Sequence, residues 1–75
     1  MASAARSPRY RQFLERLRAA RLEAGFTQDQ VAQQLGRPQS FVSKCESGER
    51  RVDVVELETF AEVYAKPLTY FLPRR

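Results

Sequence analysis

The chain has no histidine, no tryptophan, a single cysteine and three glycines in 75 residues. Without histidine, zinc fingers of the Cys2His2 kind and any catalysis that turns on an imidazole base are excluded. The lone Cys45 cannot close an internal disulfide, so packing must hold the fold, and that suits a reducing cytoplasm. The glycines stand far apart, so there is no glycine-rich phosphate loop. No set of acids gathers around one stretch. An enzyme is therefore not expected, and neither is a metal, cofactor or small-molecule ligand. No run approaches the ~20 apolar residues that cross a bilayer. The N-terminal MASAARSPR has no apolar h-region, so a signal peptide is not expected. No segment alternates with period two, and there is no internal repeat.

What is present is a short, basic, moderately apolar chain. Its length fits one domain, which hides only about 60% of its unfolded surface and so needs a compact core. Lys and Arg total 13 against 9 Asp and Glu, a net charge of +4. That balance favours an anionic partner, with nucleic acid the first candidate.

Helical spacing runs through the whole sequence. Ser7-Pro8 reads as an N-cap followed by proline at the first helical position. Tyr10, Phe13, Leu14, Leu17, Ala20 and Ala24 follow at three- and four-residue intervals up to Gly25. Thr27-Gln28-Asp29-Gln30 has the capping-box form and opens a second helix with Val31, Ala32 and Leu35 inward, ended by Gly36. A third helix is expected from about Pro38 to Ser47, with Pro38 in its first turn and Val42 and Cys45 inward. Cys45 is read as a small buried hydrophobe. Asp53-Val54-Val55-Glu56 is a second capping box. It opens a fourth helix whose inward stripe is expected at Val54, Leu57, Phe60, Ala61 and Tyr64. Pro67 starts a last short helix carrying Leu68, Phe71 and Leu72. The pattern predicts an all-α, compact five-helix bundle, with a flexible basic arm at 1–7 and one domain at 8–73.

Helices two and three are separated by about three residues at Gly36, the dimension of a helix-turn-helix. Ala32 sits where the third helix approaches closely, and Val42 plugs the wedge. The outward side of that third helix holds Gln39, Ser40, Ser43 and Lys44, with no acid before Glu46. In a chain that is 29% charged, that choice of amides and hydroxyls asks for an explanation.

Thr27-Gln28-x-x-Val31-Ala32-x-x-Leu35-Gly36-x-x-Gln39-Ser40-x-Val42-Ser43-Lys44-x-Glu46-x-Gly48 resembles the lambda-repressor-like, or Xre/Cro-type, helix-turn-helix family. The resemblance extends upstream through Leu17, Arg21 and Gly25 and downstream through Arg51, Leu57, Phe60 and Ala61, covering about residues 10 to 72. It implies a five-helix domain that binds operator DNA, with the third helix in the major groove. Gln39, Ser40, Ser43 and Lys44 match base-reading or groove-facing positions, with Lys44 reaching a base or a phosphate. Gln28 matches a backbone-phosphate contact at the start of helix two. Arg50 and Arg51 match a loop that grips the phosphate backbone. Arg21 and Glu46 match a structural pair joining helix one to the end of helix three.

Several positions depart from the family pattern. Pro38 replaces a side-chain cap. Arg37 stands where an aliphatic residue is common, so it either opens the turn or adds a phosphate contact. Phe41 stands where a small polar residue is common, as a ring against a thymine methyl or simply an exposed one. Ala65 stands where helix four often ends in glycine. Arg6, Arg9 and Arg11 read as a basic arm. Tyr64, Leu68, Tyr70 and Phe71 are either core or, where the short fifth helix exposes them, a dimer seam.

The resemblance implies a sequence-specific double-stranded DNA-binding regulator. The expected form is a repressor that binds a palindromic operator as a homodimer in a bacterial or phage-encoded cytoplasmic setting. The alternative is an antitoxin or adaptor module that docks through Leu68-Thr69-Tyr70-Phe71-Leu72. As the chain ends soon after the fifth helix, control is expected from concentration, a partner or competition for the site.

Overall fold

The computed structural model describes residues 7–73. The arm expected at 1–7 lies outside the described residues except for Ser7. Among the described residues there are five helices and no strand: α1 (Pro8–Ala24), α2 (Gln28–Leu35), α3 (Gln39–Ser47), α4 (Val54–Tyr64) and α5 (Leu68–Phe71).

The helix starts follow local hydrogen-bond chemistry. The Ser7 hydroxyl accepts from the Tyr10 N–H, and Pro8 takes the first helical position, where no N–H is needed. Thr27 and Gln30 form a reciprocal capping box, as do Asp53 and Glu56. At α3, Pro38 is itself the cap, with φ −64° and ψ 152°, and makes no side-chain bond. The helix therefore begins at Gln39, one residue later than the sequence suggests. Gly36 ends α2 with φ 68°. Its N–H bonds back to the Gln33 carbonyl and the Arg37 N–H to that of Ala32, which turns the chain sharply into α3. Ala65 ends α4 in the same left-handed region, with φ 56°.

The core is a single cluster built on Phe13, Leu14, Leu17, Ala20, Val31, Ala32, Val42, Cys45, Phe60, Ala61, Tyr64 and Phe71, joined by Phe41. Val42 and Leu17 are wholly buried. Ala32 is 1% exposed, which leaves no room for a larger side chain under α3.

Three expectations are corrected here. Val54 is 72% exposed, because the first residue of α4 overhangs the bundle and the inward stripe begins only at Leu57. Ala24 at the end of α1 and Leu72 after α5 are also exposed. Tyr64 and Phe71, expected as either core or dimer seam, are 3% and 0% exposed. They are core residues: Tyr64 stacks on Phe60 on the inner side of α4, and Phe71 packs where α5 meets α1 and α4.

Candidate nucleic-acid interface

With about 100° between successive residues of a helix, the buried Phe41, Val42 and Cys45 fall within one narrow sector of α3. Gln39, Ser43, Ser40 and Lys44 fill a sector of about 140° on the opposite side. Gln39, Ser40 and Lys44 are exposed and Ser43 is half-buried. A continuous polar strip results, bearing one cation.

The acid that could spoil this strip is turned inward. Glu46 accepts from Arg21 through both oxygens, Nε to Oε2 at 2.6 Å and Nη2 to Oε1 at 3.1 Å. The two side chains are 10% and 5% exposed. Arg21 also donates to the Phe26 carbonyl at 3.0 Å, so α1 clamps the α1–α2 loop and the end of α3 at one point. The bond to Glu46 raises the Arg21 pKa, while burial opposes the rise.

Glu46 then organises the polar strip. The Gln28 amide donates to Glu46 Oε1 at 3.0 Å, and the Gln39 amide donates to the Gln28 carbonyl oxygen at 2.8 Å. Arg21, Glu46, Gln28 and Gln39 thus form one relay from the core edge to the surface. It brings together the first residues of α2 and α3. One amide N–H of Gln39 and its carbonyl oxygen stay free of this relay. Asp29, also in the first turn of α2, has its carboxylate turned along the helix to Gln33 at 3.1 Å.

Phe41 is not a groove-facing ring. It is 9% exposed and stacks on Phe60 at 6.3 Å with the planes 6° apart. Phe60 stacks in turn on Tyr64 at 5.9 Å. The helical angle of position 41 places it beside Cys45, and the guanidinium groups of Arg37 and Arg50 cover it at 4.2 and 4.9 Å.

Residues 12–68 match the family model of the helix-turn-helix domain. An XRE-family like protein from Pseudomonas syringae pv. tomato str. DC3000 is 46% identical and superposes with a TM-score of 0.78, over 84% of this chain and 77% of that one. The chain belongs to the Xre-type helix-turn-helix family. No curated protein matches it.

The family is one of DNA-binding regulators, and the Xre-type domain presents its polar strip on the helix after the Gly36 corner. The flanking cations are less free than their sequence positions suggest. Arg50 donates to both Glu56 oxygens at 2.8 and 2.7 Å and to the Arg51 carbonyl at 3.0 Å. Arg37 lies 3.8 Å from the same carboxylate. Arg51 sits over the Tyr10 ring at 4.9 Å, and the Tyr10 hydroxyl accepts from the Val52 N–H at 3.0 Å. Glu56 and Tyr10 are the site residues that sequence reading misses. The capping box already gives Glu56 a task, and the six-residue interval to Arg50 crosses a loop, where no periodicity signals a contact.

Proposed function

We propose that this Xre-type protein binds double-stranded DNA sequence-specifically and represses transcription as a homodimer on a palindromic operator. The observation that carries this reading is the outer strip of α3, where amides and hydroxyls stand beside Lys44 and the only acid of the helix is drawn onto Arg21. A helix ~10–12 Å across fits a major groove ~12 Å wide, where each base pair displays a distinct donor and acceptor pattern.

The geometry supports these roles. Gln39, steadied by Gln28, offers its free N–H and carbonyl oxygen to an adenine edge. Ser40 and Ser43 donate to or accept from neighbouring bases. Lys44 reaches guanine or a phosphate. The N-terminus of α2, at Gln28, holds a backbone phosphate through its free N–H groups and dipole. Arg51, in the loop after α3, contacts a backbone phosphate. None of these groups has a catalytic part.

One helix reads about 4–6 base pairs, too few to single out a promoter, which is the argument for two copies on half-sites one turn apart. With Tyr64 and Phe71 buried, the seam falls to Leu68 and Leu72, 41% and 53% exposed, with half-buried Tyr70. Leu72 also borders a groove of about 450 Å³ lined by Tyr10, Phe13, Val54 and Leu57. That groove favours a second reading, an antitoxin or adaptor module whose partner protein seats there. Repression is steric, by occupation of promoter DNA in a bacterial cytoplasm.

Selection of bound duplexes from a random library tests the reading. A palindromic consensus with half-sites one turn apart supports it, and recovery of unrelated sequences overturns it. Lys44→Ala is expected to weaken binding to the selected duplex by about 1–3 kcal/mol with an unchanged circular dichroism spectrum.

A further inference from the structure

The two arginines that cover Phe41 flank α3, Arg37 two residues before its start and Arg50 in the loop that follows it. The Arg50 N–H bonds to the Lys44 carbonyl, which ties this loop to the helix that carries the polar strip. Two cations so placed would attract the phosphates of any duplex, whatever its sequence. Their side chains are 48% and 40% exposed, whereas that of Glu56, whose carboxylate they share, is 16% exposed. Arg50 meets it as a two-pronged fork, the geometry in which a guanidinium binds a phosphate. Moving Arg50 to DNA would break that fork and leave the half-buried Glu56 without its main partner.

We propose that Glu56 is a specificity-determining residue, an internal substitute for a DNA phosphate that keeps Arg50 and Arg37 off duplexes of arbitrary sequence. The proposal rests on the DNA-binding reading above. An arginine already neutralised by a carboxylate exchanges one anion for another, so it adds little to the counterion release that drives non-specific binding. Residues that read bases then contribute a larger share of the total affinity, and the specificity ratio rises.

Glu56→Gln isolates this effect. Glutamine keeps an oxygen that can accept from the Asp53 N–H, so the capping box survives, but it carries no charge and cannot hold a guanidinium as an ion pair. Binding to a 20-base-pair duplex of scrambled sequence is measured by fluorescence anisotropy between 50 and 200 mM KCl. The parent chain, Glu56→Gln, Glu56→Gln with Arg50→Gln, and Glu62→Gln are compared. Glu62 is exposed on α4, about 240° around the helix from Glu56, and controls for net charge alone.

Glu56→Gln is expected to bind about tenfold tighter at the low-salt end and to steepen the log–log salt slope by about 0.9 per arginine released. The double variant should lose most of that gain, and Glu62→Gln should show little of it. Glu56→Ala should give the same steepening at a lower melting temperature, which separates the electrostatic role from the capping role. An unchanged slope in folded Glu56→Gln, or an equal gain in Glu62→Gln, would overturn the proposal while leaving DNA binding intact. A parent chain with no salt-dependent affinity for any duplex would overturn the DNA-binding reading and this proposal with it.

Discussion

Phe41 belongs to the core although its neighbours in sequence are polar. Its ring stacks on Phe60, and two guanidinium groups lie over it. Phe41→Ala is therefore expected to cost about 3–5 kcal/mol, read from the urea unfolding midpoint. A normal midpoint with lost DNA affinity would return the ring to the groove. Tyr64 ends the same aromatic stack, and among the described residues its hydroxyl is the buried side-chain polar atom without a hydrogen-bond partner. Burial pushes its phenol pKa well up. Single residues were the least legible scale. The identity of a side chain says what it can bond to, but whether position 41 or 54 faces the core depends on which helices lie against it.

At the scale of elements the sequence was far more informative. Ser7, Thr27 and Asp53 each accept the expected backbone N–H three residues on, because a cap needs only the local chain. Ala65 shows where local chemistry is strained, since it closes α4 with φ 56°, a conformation that costs an L-residue roughly 1–2 kcal/mol. Ala65→Gly is expected to stabilise the domain by about 1 kcal/mol net of glycine's added chain entropy, raising Tm by roughly 4–8 °C. A lower Tm would show that the alanine methyl is needed there. The start of α4 also carries a pH dependence. The Arg50 guanidinium holds the Glu56 carboxyl below its usual range, against the opposing effect of burial. A carboxylate depressed in the folded state adds stability that is fully present above its unfolded pKa, about 4.3, and is lost as pH falls toward the folded value. Urea midpoints are expected to drop between about pH 5 and 3, with a shallower drop in Glu56→Gln. Glu23 is depressed too, by Lys66 and then Tyr70, so part of the acid sensitivity should survive the substitution. Identical slopes would remove Glu56 from the account.

For the whole molecule the question is what covers the apolar side chains left outside. Leu68 and Leu72 lie at the α5 end of a body about 30 × 26 × 20 Å across. Because they are exposed, replacing both by serine is expected to leave Tm nearly unchanged while shifting the chain toward monomer in sedimentation equilibrium. Cooperative binding to a palindromic duplex should weaken in parallel. A parent chain that remains monomeric at all concentrations, both free and on that duplex, would remove the dimer. The α5 end is fastened to α1 from the other side, by Lys66 and the Tyr70 hydroxyl on Glu23 and by Arg16 on the Tyr70 carbonyl. Long-range pairs of this kind leave no mark on local patterning.

The residue order alone determined the helices, the side-chain caps at Ser7, Thr27 and Asp53, the Gly36 corner and the outward amides and hydroxyls of α3, since each depends on neighbours within about four positions. Tertiary structure alone decided that Phe41 is covered, that Val54 is not, and that Glu56 is turned onto arginines from other segments, whereas the Arg21–Glu46 pair was already implied by the family resemblance. Burial and ion pairing are set by which surfaces meet, and those surfaces come from residues far apart along the chain.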